Sequence, residues 1–168
     1  LIYSLKPFGY GKEVLRGKSK VYLADAAIPG SILLLGQKLL ERPDRLGNAV
    51  ETAFFKHVFT RFYQDQPTFS YWQSKGRKNY EVDLIAEIGE RIVPFEVKYQ
   101  DKEISDRDLK GLRMFMEERD IDLGYVITRN PESLFIRQPH STRQGHLKEL
   151  INGKIIGIPA CLACYWLS

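Results

Sequence analysis

The sequence predicts an α/β (α+β) fold in which helices flank a mixed β-sheet. Three observations lead to this prediction. Apolar residues recur at helical spacing from Asp44 to about Tyr63, and strand-like runs separated by short turns follow from Thr68 to Val97. A second helical pattern after Ser105 precedes a buried strand, Leu123 to Thr128. Helix, antiparallel strands, helix and strand in this order are typical of helices packed on a mixed sheet.

The composition is that of an ordinary globular protein. A chain of 168 residues is long enough for one main domain with a buried core. Its longest apolar stretch, Ile32 to Leu35, is far shorter than the roughly 20 residues that cross a bilayer, so no membrane span is expected. Two cysteines argue against a disulfide framework and favour a cytoplasmic location. The net charge of +4 permits a nucleic-acid partner without requiring one.

Residues 1–25 read as two short strands, Leu1 to Phe8 and Ser19 to Asp25, joined by a glycine- and lysine-containing loop. The chain starts with leucine rather than methionine, which is the pattern of a piece cut from a longer protein. We therefore predict that residues 1–25 are a hairpin remnant of a preceding module, and that residues 26–168 form the main domain.

Two helices are predicted next. Ser31 can cap a short helix through Leu40 that stops before Pro43. The longer helix, from Asp44 to about Tyr63, has an apolar stripe suited to the core, formed by Leu46, Val50, Ala53, Phe54, Val58 and Phe62. Glu51 lies beside this stripe, so its carboxylate is expected to emerge at the border of the core.

The central prediction is a hairpin made of strands Tyr80 to Ile88 and Arg91 to Val97, which follow the strand Thr68 to Ser74. Gly89 and Glu90 suit a two-residue turn, in which Ile88 pairs with Arg91.

In that register Asp83 faces Glu96, at about 5 Å between Cβ atoms. Lys98 shares their face, because side chains alternate along a strand. The opposite face is then apolar and belongs to the core, with Val82, Leu84, Ala86, Ile88, Val93, Phe95 and Val97.

Two opposed carboxylates in a partly covered site need a compensating cation, either a metal ion or a lysine. Magnesium prefers such hard oxygen ligands when it also binds phosphate and water. Lys98 could position an attacking water or stabilise developing charge, and Glu51 is the candidate third carboxylate. The alternative is that Asp83 and Glu96 are surface charges with Lys98 as a salt-bridge partner.

The sequence pattern after Lys98 predicts further helices and strands of the same domain. Ser105 and Asp108 resemble a capping box before a helix with Leu109, Leu112, Phe115 and Met116 on one side. Residues 133–137 read as a strand and 146–151 as a short helix. Residues 155–167 read as a closing strand that Pro159 interrupts.

Several motifs favour other functions only weakly. The spacing from Gly11 to Ser19 is one residue too long for a phosphate-binding P-loop, and it lacks the required strand before it and helix after it. Cys161 and Cys164 form a lone pair in an apolar run, which is more typical of a buried strand than of a zinc site. His140 and His146 have no acidic or cysteine partner at ligand spacing, and His57 on the long helix is interpreted as an interior or border residue rather than a ligand.

One loop has the composition of a phosphate contact. It contains Lys75, Arg77 and Lys78, directly after Tyr71 and Trp72. These cations could bind a nucleic-acid backbone while the aromatic rings stack on a base. A solvated turn with core aromatic residues behind it explains the same pattern, and the sequence does not separate the two.

The motifs together resemble a known group, the C-terminal domain of uncharacterised function in predicted archaeal and bacterial AAA+ ATPases, related to the PD-(D/E)xK nuclease superfamily. The resemblance covers most of the chain. Its motifs are Lys20-Val21-Tyr22-Leu23-Ala24-Asp25, Gly47-Asn48-Ala49-Val50-Glu51, Tyr71-Trp72, Glu81-Val82-Asp83, Phe95-Glu96-Val97-Lys98 and Ile158-Pro159. Val82 replaces the proline of the superfamily motif, and Ala26-Ala27 replaces an expected polar residue and glycine.

The resemblance implies a restriction-endonuclease-like fold and a Mg²⁺- or Mn²⁺-dependent nuclease acting on DNA. It implicates Glu51, Asp83, Glu96 and Lys98 in catalysis, the three carboxylates as metal ligands, and an upstream ATPase module as a partner. The preceding module would be winged-helix-like. A second interpretation keeps the fold but makes the domain a non-catalytic, DNA-binding or regulatory part of the ATPase.

Overall fold

The computed structural model describes residues 2–75, 78–137 and 153–168. Within these ranges the chain forms one eight-stranded mixed sheet flanked by helices, which confirms the predicted fold class. The strands are β1 (Ile2–Pro7), β2 (Lys20–Leu23), β3 (Thr68–Gln73), β4 (Glu81–Ile88), β5 (Arg91–Lys98), β6 (Leu123–Thr128), β7 (Phe135–Arg137) and β8 (Lys154–Pro159).

Along the sheet the strands run in the order β2-β1-β3-β4-β5-β6-β8-β7. Strand β1 is parallel to β3, and β5, β6 and β8 form a parallel group. The remaining neighbours, β1 with β2, β3 with β4, β4 with β5 and β7 with β8, are antiparallel. The hairpin β4–β5 therefore lies at the centre of the sheet.

Five α-helices are present in the described residues: α1 (Lys12–Arg16), α2 (Ala27–Ile32), α3 (Pro43–Phe62), α4 (Lys110–Arg119) and α5 (Ala160–Trp166). The predicted long helix is thus confirmed as α3, which starts at a proline in its first turn with Asp44 close behind. No helix in the described ranges is both long and apolar enough to cross a membrane.

Two hydrophobic cores cover the two faces of the sheet. The α4 core contains Leu109, Leu112, Phe115 and Met116 of α4 with Val82, Ile85 and Val126 of the sheet. The α3 core contains Phe54, Phe55 and Val58 of α3 with Leu84 and Ile127 of the sheet. Successive strand residues such as Val126 and Ile127 enter different cores, so the central strands are buried on both faces.

The predicted register of the central hairpin is confirmed for five pairs, but the predicted pair of Asp83 with Glu96 lies beyond the ladder. Ile88 pairs with Arg91, and the pairing continues to Leu84 with Phe95. Gly89 adopts a positive φ of 59°, which suits glycine in the two-residue turn.

A β-bulge in β4 alters the predicted faces. The pairing between β3 and β4 shifts by one residue between Ser70 and Trp72, so that Asp83 and Leu84 both lie opposite Tyr71. Bulges bend a strand and redirect side chains, often next to active sites. Asp83 lies at this irregular point.

The bulge corrects the prediction that Val82 and Leu84 share one apolar face. Val82 packs in the α4 core together with Ile85, whereas Leu84 packs in the α3 core. Simple alternation fails because the extra residue reverses the direction of the side chains that precede it. The strand pattern alone gave no sign of the extra residue.

The N-terminal hairpin is an integral part of the sheet. Strand β1 pairs with β3, and Leu5 and Tyr22 are buried in the α3 core. The segment that joins the two strands contains the short helix α1. The boundary after residue 25 stays a prediction, although the residues before it share a core with those after it.

The predictions for two segments, one before α3 and one at the end of the chain, are wrong in detail. The predicted helix from Ser31 is replaced by α2, which begins at Ala27, and by a 3₁₀ turn at Gly36–Leu39. The predicted closing strand continues past Pro159 as helix α5, because Ala160 and Ala163 meet the α3 core at helical spacing. The predicted helix at 146–151 lies outside the described residues.

Candidate active site around the central hairpin

Asp83 is held by bonds to both of its carboxylate oxygens. The backbone N–H of Val97, on the neighbouring strand, donates to Oδ2 at 2.8 Å. Lys20 Nζ donates to Oδ1 at 2.9 Å. The side chain of Asp83 therefore links β4 to β5 beyond the last ladder pair, Leu84 with Phe95. Together the two hydrogen bonds fix the orientation of the Asp83 carboxylate.

Lys20, at the start of β2, is the centre of a carboxylate cluster. Its Nζ lies 2.7 Å from Glu51 Oε1, 2.9 Å from Glu81 Oε1 and 2.9 Å from Asp83 Oδ1. Burial alone would lower the pKa of Lys20, but the negative charges around it, led by Asp83, outweigh burial and hold that pKa well above its usual range. The ammonium stays protonated at any physiological pH.

Tyr22 supports the same cluster from two residues further along β2. Its hydroxyl donates to Glu51 Oε1, and its ring stacks on Phe55 of α3 at 4.7 Å between centroids. Burial raises the pKa of Tyr22, and the nearby Glu51 charge raises it further. The hydroxyl therefore remains a donor that fixes Glu51, as expected for a buried tyrosine with a polar partner.

Glu96 and Lys98 form a second ion pair on β5, between Glu96 Oε1 and Lys98 Nζ. They alternate with Phe95 and Val97, which pack against the α3 core, so the pair faces the α4 side of the sheet. Glu96 is only 4% exposed. Its second oxygen, Oε2, has no hydrogen-bond partner among the described residues.

Burial raises the pKa of Glu96 to about 8, and the charge of Asp83 adds to the effect, while Lys98 opposes it. For Lys98, burial would lower the pKa, but the Glu96 charge outweighs it and the pKa is raised. Burial thus makes the carboxyl group of Glu96 easier to protonate than an exposed glutamate, whereas Lys98 keeps its charge.

The four predicted site residues therefore lie in two adjoining groups. Glu51 and Asp83 share the ammonium of Lys20, and Glu96 pairs with Lys98. Asp83 accepts a hydrogen bond from the backbone of Val97, the residue between Glu96 and Lys98, which places the two groups next to each other. In the described part of the chain, no group of three or more His, Cys, Asp and Glu residues is arranged to hold a metal ion. Lys20 stands between the carboxylates instead.

Sequence reasoning missed Lys20, Tyr22 and Glu81. A signal for the first two was present, since residues two apart on a strand share a face. They were assigned to a remnant hairpin, so they were not considered for the site. Glu81 is two residues before Asp83 on β4, and only the contact with Lys20 reveals that it belongs to the cluster.

The basic loop between β3 and β4 is exposed at Lys75 and Lys78, whereas Arg77 lies outside the described residues. Tyr71 and Trp72 are buried in the α3 and α4 cores respectively. The rings therefore do not offer a stacking surface for a base. The role of the loop cations in binding nucleic acid stays a prediction.

The other motifs form no site in the part of the chain that the structure describes. Cys161 is exposed and Cys164 half-buried on α5. His57 Nδ1 lies 3.4 Å from the hydroxyl of Ser168. His140 and His146 lie outside the described residues.

Comparisons with known proteins place the chain in a family but do not name its activity. It resembles a chain in the structure described as a half-complex from a tetradecameric assembly of Thermococcus gammatolerans McrB AAA+ hexamers with bound McrC. The identity is 11%, the TM-score is 0.44, and the match covers 70% of this chain and 27% of that one. The chain thus spans about a quarter of the length of its structural match. No curated protein matches it.

A family profile matches residues 46–144. This range contains the four predicted site residues, whereas Lys20 and Tyr22 precede it. Because the match covers more than half of the sequence, the chain belongs to the family described as Domain of unknown function (DUF4143).

Proposed function

We propose that this protein is a nuclease of the PD-(D/E)xK type that hydrolyses phosphodiester bonds of DNA. The observation that carries the proposal is that Glu51 and Asp83 share the ammonium of Lys20, while Glu96 and Lys98 pair on the adjacent strand of the central hairpin. These residue types occupy the positions of the motif that the sequence resembles.

The carboxylates around Lys20 have the chemistry of a divalent-cation site. Glu51, Glu81 and Asp83 direct one oxygen each toward a single point, where Lys20 Nζ lies. The unpartnered Oε2 of buried Glu96 is a further oxygen donor. Oxygen ligands of this kind suit Mg²⁺ or Mn²⁺. By the motif that the sequence resembles, Glu51, Asp83 and Glu96 would hold the ion, although in the described residues they are not arranged as a metal-holding group.

The bound ion would lower the pKa of an attacking water and neutralise charge on the phosphate. Lys98 acts beside it. Since Lys98 stays protonated, it can hydrogen-bond the water or a phosphate oxygen and stabilise negative charge as the bond breaks. Tyr22 fixes the orientation of Glu51.

The substrate assignment rests on charge. Lys75 and Lys78 are exposed in the loop that leads into β4, and Arg77 is in the same loop. We propose that these cations contact the phosphate backbone, which sets the position of the nucleic acid without reading its sequence.

Cleavage of supercoiled plasmid in Mg²⁺ or Mn²⁺ tests the proposal. The wild type should nick the plasmid, whereas Asp83→Asn and Lys98→Met should lose at least about 100-fold in rate, as expected when a charge-stabilising group is removed. Lys56→Met is the matched control, because Lys56 is an exposed lysine whose ion pair is with Asp25 and not with the cluster. Equal rates in all four proteins, or no cleavage by any, would remove the catalytic assignment.

A second candidate function is non-catalytic DNA binding. The observation in its favour is that Lys20 already lies between the three carboxylates, so that a cation of the protein itself occupies the centre of the cluster. In that case the protein should bind DNA in the presence of EDTA, that is, without divalent ions. The combined Lys75→Ala, Arg77→Ala and Lys78→Ala variant should weaken this binding, and Asp83→Asn should leave it intact. Binding that requires a divalent ion and Asp83 would favour the nuclease.

We further propose that the domain works as part of an AAA+ ATPase, on the basis of its sequence resemblance to the C-terminal domains of such proteins. The coding sequence upstream of Leu1 tests this directly. A phosphate-binding motif between a strand and a helix there would support the association. An unrelated upstream sequence would contradict it.

A further inference from the structure

We propose that residues 9–18, which join β1 to β2 and which we call the basic tip, bind single-stranded DNA. The cations of the basic tip contact backbone phosphates, and the ring of Tyr10 stacks on an unpaired base. The inference rests on the DNA substrate of the proposed function. It adds the surface that holds this DNA and the form of DNA that the surface fits.

The positive charge of the protein is concentrated at its start. Residues 1–24 contain five lysines and arginines and one glutamate, whereas residues 25–168 contain twenty lysines and arginines and twenty aspartates and glutamates. The first 24 residues therefore account for the whole net charge of +4. Lys12, Arg16 and Lys18 are exposed in the basic tip, and none of them forms an ion pair with another described residue. Exposed cations without acidic partners attract a polyanion.

Helix α1 gives two of these cations a common direction. Lys12, Leu15 and Arg16 follow one another at the spacing of a helix face, and all three are exposed. Val14, which points elsewhere, is half-buried, and a Cβ atom at Gly9 would lie 3.8 Å from its side chain. The helix thus presents its basic side to solvent, where a phosphate backbone can reach it.

Tyr10 is an observation independent of the charges. It is 90% exposed, and the glycines on both sides of it have positive φ, 126° at Gly9 and 88° at Gly11. The backbone therefore turns on either side of a ring that remains in solvent. Tyr71 and Trp72, which the sequence suggested for base stacking, are buried. An exposed ring among cations is typical of proteins that bind single strands, since unpaired bases stack on the ring while the cations follow the backbone.

The basic tip is anchored beside the carboxylate cluster. The chain bonds to Tyr71 of β3 on both sides of α1. The backbone N–H of Phe8 donates to the carbonyl oxygen of Tyr71 at 2.6 Å, and the Tyr71 hydroxyl donates to the carbonyl oxygen of Lys18 at 2.7 Å. Lys18 is two residues before Lys20, so their Cα atoms are at most about 7 Å apart. A phosphate held at Lys18 is therefore close to the cluster.

A second basic loop lies at the same end of the sheet. Strands β1 and β3 are parallel, so the basic tip after β1 and the loop after β3 leave the sheet at the same end. The loop after β3 contains the exposed Lys75 and Lys78. Lys20 begins β2 and Glu81 begins β4 at this end, and the two side chains bond to each other. Both basic segments therefore lie where the cluster is found.

Fluorescence anisotropy of a short labelled single strand and its duplex, in EDTA, tests the proposal on the 168-residue chain. The wild type should bind the single strand more tightly than the duplex. The combined Lys12→Ala, Arg16→Ala and Lys18→Ala variant should bind the single strand about tenfold or more weakly. Its slope of log affinity against log salt should fall by about 2, since each phosphate contact on a single strand contributes about 0.7.

The matched control removes three exposed cations from other places. It combines Arg61→Ala in α3 with Arg91→Ala and Lys154→Ala, at the first residues of β5 and β8. The control has the same net charge as the basic-tip variant and should lose much less affinity. All the replaced side chains are exposed, so both variants should melt as the wild type does, which circular dichroism verifies.

Tyr10 is tested separately, because its role does not depend on charge. Tyr10→Ala should bind the single strand about fivefold or more weakly, with an unchanged salt slope and an unchanged affinity for the duplex. Tyr10→Phe retains the ring and should bind as the wild type does. Equal single-strand affinity in Tyr10→Ala and the wild type would overturn the stacking and the preference for single strands.

Equal losses in the basic-tip variant and the control would overturn the inference, since net charge alone would explain them. Unchanged binding in the basic-tip variant would also overturn it, and the nuclease would still stand if Asp83→Asn abolished plasmid cleavage. Weakened single-strand binding in a protein that cleaves no plasmid would support the inference and contradict the nuclease. Phosphatidylserine vesicles that bind the wild type but not the basic-tip variant, with DNA binding unchanged, would make the basic tip a membrane contact instead.

Discussion

The most unusual single residue is Glu96, a carboxyl group buried beneath the sheet with one unpartnered oxygen. Sequence analysis found it from its motif and its position opposite Asp83. The sequence does not reveal how deeply Glu96 is buried, because its burial depends on α4 and on the cores that cover both faces of the sheet. The charge state of Glu96 is therefore a property of the fold rather than of the motif.

We expect this burial to make stability depend on pH. The folded-state pKa of Glu96, about 8, lies above its ordinary value of 4.5, so the native state holds a proton that the unfolded state releases. The stability that Glu96 contributes is complete below pH 4.5 and is lost as pH rises toward 8. In metal-free buffer, the thermal midpoint of the wild type should fall between pH 6 and 9 more than that of Glu96→Gln.

Circular dichroism melting in EDTA measures both proteins. For a chain of this size, about 1 kcal/mol corresponds to roughly 2–4 °C. Parallel curves for the wild type and Glu96→Gln would show that Glu96 ionises in the folded protein as it does in water.

At the scale of elements, the central hairpin was predictable from the sequence, but the β-bulge in β4 was not. Gly89 with Glu90 specified the turn, and the turn specified the register. The bulge at Asp83 depends on β3, a strand whose pairing no local pattern reports. Helix α5 was predicted as a strand, because its short apolar run fits strand and helix patterns equally well.

Two glycines on helices should respond in opposite ways to alanine. At Gly111 a Cβ atom would lie 2.7 Å from the backbone oxygen of Glu81, which α4 approaches closely. At Gly47 in α3 it would meet nothing within 4 Å. We expect Gly47→Ala to stabilise the protein by about 0.5–1 kcal/mol, and Gly111→Ala to destabilise it by about 1–3 kcal/mol.

Urea denaturation checks this pair, with each glycine as the control for the other. A Gly111→Ala variant as stable as Gly47→Ala would mean that α4 can move away from β4 without cost. The close approach would then have no role in positioning Glu81 beside Lys20.

At the scale of the whole molecule, the first strands complete both the sheet and the site. Leu5 and Tyr22 enter the α3 core, and Lys20 joins the carboxylates. We assigned these residues to a preceding module because the two short strands read as a self-contained hairpin, while the partner strand of β1 lies far along the chain. Non-local pairing of this kind has no signature in a single sequence.

Removal of residues 1–25 tests the predicted boundary. We expect the shortened chain, 26–168, to lose several kcal/mol of stability, because two core side chains and the cation of the cluster disappear together. Calorimetry of the two chains measures the loss. An equally cooperative transition at an unchanged temperature would establish residues 26–168 as an independent domain.

The long sequence separation between Lys20 and Asp83 also has a consequence for the order in which the site forms during folding. Lys20 and Asp83 are 63 positions apart, whereas the β4–β5 turn joins strands directly. Short loops close faster than long ones, so the carboxylates of Asp83 and Glu96 are brought together before the lysine arrives. We therefore expect newly made chains to pass through a state in which Lys98 already accompanies Glu96 but Asp83 still lacks its lysine partner. During that interval, free cations of the surrounding solution have their first access to the site.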